Sequence, residues 1–175
     1  MAILPIRIVP DPVLRARCAE VEQFDAALRR LAADMVETMH AAPGVGLAAP
    51  QVGEPRRLMM VDLSVGEDPE QLRVFVNPRI AAREGSVAET EGCLSIPGVS
   101  DKVVRPQRVR VEAQDLDGNP FALDAEDWLA RAICHEVDHL DGVLFIDHLH
   151  GLRRERARRQ LRRLVRETEP AEVPA

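Results

Sequence analysis

Two histidines four residues apart, with a glutamate between them, mark where this chain could do chemistry. His135, Glu136 and His139 form an HExxH pattern within residues 132–142. On a helix, residues four apart lie nearly one above the other, so both imidazoles can grip one metal ion from one face. Glu136 stands beside them. A metal that activates water and a carboxylate that takes its proton are the minimum for hydrolysis. The competing reading is a chance match on a solvated helix, because so short a pattern recurs. A third protein ligand is also needed. Phe145 sits where an extended HExxHxxGxxH pattern would place a histidine. His148 lies beyond that spacing, and Glu155 falls in an arginine-rich run where a solvated ion pair explains it more simply. The missing ligand therefore comes from elsewhere in the chain.

Two other stretches have chemistry-bearing compositions. In Glu91-Gly92-Cys93-Leu94-Ser95 the cysteine follows a glycine in a segment read as irregular. A lone cysteine is usually a small buried hydrophobe, but a thiolate here could reach a metal. A Cys-His-His site with one open position for water is chemically coherent. The thiolate would neutralise one of the ion's two charges. The second stretch runs from Gly44 to Gln51 and contains Val45, Gly46 and two consecutive alanines. Its glycines permit close backbone approach, and Gln51 offers both a donor and an acceptor. A tight loop of small residues would have the same composition. It lacks the Lys-Ser/Thr ending of a phosphate loop.

The elements that must position these residues follow from periodicity. Asp25 is an N-cap for a helix whose Leu28, Leu31, Ala32, Met35 and Met39 recur at helical spacing until Pro43-Gly44. That stripe is most simply core. Residues 58–63 and 72–80 read as strands, and residues 108–113 alternate cleanly. Asp117-Gly118 is a hairpin turn into residues 121–123. Asp124, with Asp127 three residues on, reads as the start of the helix that carries HExxH and stops at Gly142. Residues 6–22, with Pro10-Asp11-Pro12, read as an irregular arm.

Composition bounds the answer. A chain of 175 residues with 46% apolar and 30% charged residues is one globular domain with a proper core. No run approaches the ~20 apolar residues of a membrane span, and Pro5 and Arg7 interrupt the N-terminus too early for a signal peptide. Three cysteines without framework spacing favour a reducing, cytoplasmic setting. The net charge of −6 divides into −10 over residues 1–150 and +4 over residues 151–175. Residues 1–150 are therefore expected to form one catalytic domain, with 151–166 a basic C-terminal helix packed on it and 167–175 a disordered tail.

Taken together, Gly44–Gln51, Glu91–Ser95 and Cys134–Gly142 resemble, in order and spacing, the GφGφAAxQ, EGCLS and QHExDHLxG motifs of the peptide deformylases. The resemblance implies an α+β fold with small mixed or antiparallel sheets around the HExxH helix. It implies removal of the formyl group from N-formylmethionine of nascent polypeptides. It assigns Cys93, His135 and His139 to the metal and Glu136 to acid–base work. Gln51 and the Leu94 N–H would face the formyl oxygen. Val45 and Gly46 would pair with the substrate backbone as an added strand, and Trp128 would lie on the metal face beside the methionine side chain. Fe(II) is the usual ion, with Zn(II) or Ni(II) able to replace it.

The pattern departs from the family at Cys134, where glutamine is usual, and at Arg131, in a wall that some members line with apolar residues. Arg131 is expected to turn away and pair with Asp127 or Asp138. Another HExxH amidase or peptidase would share His135, Glu136 and His139. An inactive ribosome-associated binding protein is the non-enzyme alternative, against which the intact ligand set argues. The C-terminal segment carries eight arginines between Gly151 and Arg166 against Glu155 alone. Ala157, Leu161, Leu164 and Val165 gather on its other side. A solvated helix docked on the domain explains the apolar side. For the one-sided charge, the resemblance implies the ribosome, through rRNA, as a partner, on a protein expected to be monomeric and without membrane contact.

Overall fold

The computed structural model describes residues 2–168. The first helix, α1 (Ala26–Ala41), begins at Asp25, whose side chain accepts from the N–H groups of Ala27 and Leu28, both at 2.9 Å. Leu28, Ala32, Met35 and Met39 form its buried face, so the periodicity identified the side that packs.

Seven strands follow in two antiparallel sheets. β1 (Gly46–Ala48), β2 (Leu58–Val61), β3 (Arg73–Glu84), β6 (Arg108–Gln114) and β7 (Pro120–Glu126) make one sheet in the order β1-β2-β3-β6-β7. β4 (Val87–Gly92) and β5 (Ser100–Arg105) pair as a separate hairpin. All four residues of β2 are buried, because its alternate side chains enter different cores. Leu58 and Met60 pack with α1, whereas Met59 and Val61 pack with α2 (Asp127–Leu140). α2 is buried on most of its circumference, from Ala130 to Leu140, and is the helix the sheets enclose.

One sequence expectation about these elements is corrected. Asp124 does not open the helix: it lies in β7, and α2 starts at Asp127. The physical reason is cross-strand pairing. Asp124 and Glu126 project from β7 onto Arg110 and Arg108 of β6, at 2.8 and 3.2 Å. That is a period-2 arrangement, and helix-start residues mimic it locally. The segment after Gly92 is irregular, as read: Cys93 opens the connection between β4, which ends at Gly92, and β5.

α2 ends at Leu140, and Gly142, the expected stop, turns the chain just past its cap. Its φ is +73°, and a Cβ there would sit 2.5 Å from the Arg15 carbonyl oxygen, so only glycine allows the N-terminal arm to pass so closely. The chain then makes a short 3-10 turn, Phe145–His148, and enters α3 (Gly151–Thr168). Ala157 of α3 is buried in a third core with Val9, Leu14, Ile96, Val103 and Phe145, and Leu161 and Leu164 pack against it. All eight α3 arginines are exposed. Most of the expected tail, residues 169–175, lies outside the described residues.

Candidate active site

The i, i+4 pair on α2 meets its third partner from another element. Cys93, just past β4, brings its Sγ to 3.2 Å from His139 Nε2. Ligand atoms of Cys93, His135 and His139 all lie within 4.8 Å of one another. His135 uses its Nδ1–H on the Glu91 carboxylate, at 3.0 Å, which leaves Nε2 to face an ion. One soft thiolate and two imidazoles suit Fe(II), Zn(II) or Ni(II). A carboxylate behind a ligand histidine fixes the ring and its tautomer. This donor set therefore fits a transition-metal ion, with a fourth position left for a small ligand.

The surroundings carry an ionic network. Glu91 receives Arg105 through Nε at 2.9 Å and through the second guanidinium nitrogen at 3.0 Å. Arg105 also contacts Asp138, which in turn accepts from His148 at 2.6 Å. Burial alone would raise the Glu91 carboxyl, but hydrogen bonds from His135 and Arg105 outweigh it and lower the pKa to about 2. Among the protein groups alone, burial disfavours a charge on His135. Its hydrogen bonds to Cys93 and Glu91 prevail and lift it to about 10. His139 goes the other way, lowered well below 6.5 by burial and by the charge on His135.

Glu136 is 5% exposed, and its Oε2 is a buried oxygen with no hydrogen-bond partner among the described residues. Burial raises its pKa from 4.5 to about 7, in the range where a carboxylate exchanges protons readily near neutrality. Gly46 of β1 comes so close to it that a Cβ would lie 2.5 Å from Glu136 Oε1. Here is the close approach for which the glycine-rich stretch was suited. Gln51, 2% exposed, accepts the Ala48 N–H at 2.9 Å. Its amide nitrogen donates to Ser95 Oγ at 3.2 Å and to Cys93 Sγ at 3.7 Å. These contacts aim donors, rather than the amide oxygen, at the cysteine side.

These groups line one cleft of about 370 Å³, which Val45, Gly46, Gln51, Cys93, Leu94, Trp128, Arg131, Ala132, His135 and Glu136 share. Trp128 stands at its mouth, 53% exposed. β1 is an edge strand of the larger sheet. Val45 pairs inward, accepting the Asp62 N–H at 2.9 Å. In the antiparallel register with Gly46 opposite Val61, the N–H and C=O of Gly46 then point to the open side. An unpaired strand edge beside a catalytic cleft is a template for an extended peptide.

The site residues named from the sequence thus all border this cleft or its donor cluster. Arg131 does not pair with Asp127 or Asp138, as expected. Its guanidinium reaches Glu91 at 2.5 Å, Val103 O at 3.1 Å and Val87 O at 2.8 Å. Only its stem is left to border the cleft. Cys134 is a buried thiol, pushed up to about 11 by desolvation, and is not part of the donor cluster. Sequence reasoning missed the parts played by Glu91 and Arg105. The signal available for Glu91 was its place at the head of the cysteine motif, two residues before Cys93.

The sequence pattern of the polypeptide deformylase family matches residues 3–155. A peptide deformylase of Acidobacterium capsulatum is 49% identical over 166 residues, covering 95% of this chain and 98% of the relative. One of Azotobacter vinelandii is 51% identical over 168 residues, with 95% and 99% covered. The crystal structure of a Legionella pneumophila peptide deformylase superposes with a TM-score of 0.88 at 44% identity, over 99% of this chain and 100% of that one. The Thermus thermophilus peptide deformylase gives 0.87 at 45% identity, over 94% and 99%. With the match spanning the cleft, both sheets and α2, this chain belongs to the polypeptide deformylase family.

Proposed function

We propose that this chain hydrolyses the formyl amide of N-formylmethionine at the start of new polypeptides, releasing formate. The observation that carries this reading is the convergence of Cys93 on the two α2 histidines, beside a buried unpartnered carboxylate and an open strand edge. Cys93, His135 and His139 would hold one divalent ion, Fe(II) by preference, with Zn(II) or Ni(II) able to occupy the same donors. When bound, such an ion polarises the formyl carbonyl and lowers the pKa of water towards about 7.

The chain's own groups do the rest. Glu136 Oε2 takes the proton of the attacking water and later delivers it to the departing α-amine. Gln51 Nε2 and the Leu94 N–H stabilise the charge that develops on the formyl oxygen, and loss of one such donor typically costs about 3 kcal/mol of barrier. Gly46, flanked by Val45, pairs with the substrate backbone, a mode of recognition that ignores most side-chain identity. Trp128, Ala132 and the stem of Arg131 border the methionine side chain. Residues 1–150 act as one catalytic unit in the cytoplasm, as a monomer, and α3 presents its arginines to rRNA.

The test is formate release from a formyl-Met peptide under oxygen-free conditions, with metal content measured on the same sample. Formate should appear in proportion to bound metal, and the unformylated peptide should stay uncut. Cleavage of internal peptide bonds without formate release would overturn the reading. Fe(II) and its thiolate are both oxidisable. The iron form should therefore lose activity in air while the nickel form keeps it, and equal air stability would remove the argument for iron.

A further inference from the structure

Arg131 is among the largest fully buried side chains of the molecule, at 2% exposure. It lies on α2 one turn before His135, in a wall of the cleft. A buried arginine is no economical source of stability, since a well-packed apolar side chain often serves as well or better. Its contacts indicate a different service. Glu91 Oε1 accepts from both Arg131 and Arg105, while Glu91 Oε2 accepts from Arg105 and from His135 Nδ1. With Oε1 held by two guanidinium groups, the carboxylate is fixed about its own axis, and Oε2 is the oxygen presented to the imidazole. Two further Arg131 N–H groups bind Val87 O and Val103 O, one on each strand of the β4–β5 hairpin, and its Nε lies 3.8 Å from the Glu89 carboxylate, also on β4. Cys93 follows that hairpin's first strand, and the two histidines sit on α2. Arg131 therefore joins the two segments whose separation defines the donor cluster.

We propose that Arg131 is a positioning residue for the metal site. Its guanidinium locks Glu91 against His135 and ties the Cys93-bearing hairpin to α2, and thereby sets how tightly the site holds its ion. The inference rests on the reading that Cys93, His135 and His139 are the ligands.

The experiment is a titration of the full chain with Zn(II), and with Co(II) as a spectroscopic probe, against a competing chromophoric chelator. Arg131→Met keeps the apolar stem and removes the fork. Its affinity should fall about 10–100-fold, as for other groups that orient a ligand histidine, and the Co(II) absorption bands should shift. The same substitution in a Glu91→Gln background should cost far less than in the wild type, because Arg131 acts through Glu91. A merely structural arginine would lower affinity equally in both backgrounds. Arg131→Lys, which restores the charge without the fork, should recover only part of the affinity and guards against a Met variant that fails to fold. Wild-type affinity in a folded Arg131→Met or Arg131→Lys protein overturns the proposal. Cys93→Ala and His139→Ala, run in parallel, should abolish tight binding. If they do not, it is the ligand reading that has failed.

Discussion

A carboxylate oxygen buried without a hydrogen-bond partner is costly in its ionised form, and Glu136 Oε2 has none among the described residues. Its pKa of about 7 in the fold, against 4.5 ordinarily, has a defined consequence for stability. Between these two pH values the folded protein holds a proton that the unfolded chain has released. Stability therefore falls as pH rises from 4.5 to 7 and is level above. Glu136→Gln removes this loss. In chelator-treated protein its stability advantage should grow over that interval by about 3 kcal/mol, measured by denaturant unfolding at pH 4.5 and pH 8. An advantage identical at both pH values would show that the carboxylate is not the group responsible. In metal-loaded protein the same substitution should keep the metal and lower deformylation at least ~100-fold, since glutamine keeps the shape but cannot accept the proton. Retention of a tenth of the rate would remove Glu136 as the base. The placement of His135, Glu136 and His139 on one turn was legible because a helix fixes the distance between its own residues. Arg131's partner was not. Local spacing pointed to Asp127 or Asp138, whereas the carboxylate that captures it belongs to a strand far away in sequence.

Elements were legible where one face is buried and one is wet. α1 shows this most plainly, with an N-cap, an apolar stripe and a Pro-Gly stop that the fold reproduces. β4 and β5 were hidden for the opposite reason. In β4 only Glu91 is buried, and it is there for its ionic partners rather than for apolar packing, so no hydrophobic alternation announces the strand. β1 was equally unreadable as a strand, being three residues long, although its glycines signalled close approach. That approach makes a prediction at this scale. Gly46→Ala would place a methyl group 2.5 Å from Glu136 Oε1, and the flexible end of Glu136 can yield, so the fold should survive. The displaced carboxylate should not perform its transfer, because misplacement by about 1 Å can cost on the order of 100-fold in rate. The expected result is a melting temperature within a few degrees of wild type, unchanged metal content and kcat lowered at least 10-fold. A variant with normal kcat would show that the contact between β1 and Glu136 is incidental.

At the scale of the whole molecule, charge is distributed against the average. The chain is acidic, with a net charge of −6, yet its last described helix presents eight arginines, all exposed. The apolar side of α3 is accounted for by docking: Ala157 is buried, and Leu161 and Leu164 pack on the core that also touches Cys93. Removing the helix would therefore disturb the ligand-bearing loop as well as any partner surface. Substitution on the outward side separates the two roles. Arg159, Arg162 and Arg166 lie opposite Ala157 and Leu161 on the helical projection and are exposed. Changing all three to glutamine keeps helix propensity and removes only charge. If α3 binds rRNA phosphates, co-sedimentation of the triple variant with ribosomes should drop at low salt. The slope of log affinity against log salt should flatten by roughly 2 to 3, because each lost phosphate contact removes nearly one released counterion. Turnover of a short formyl-peptide should stay within about twofold of wild type, since none of the three residues lines the cleft. Unchanged sedimentation and an unchanged salt slope would mean that the arginines serve only to keep a docked helix in water.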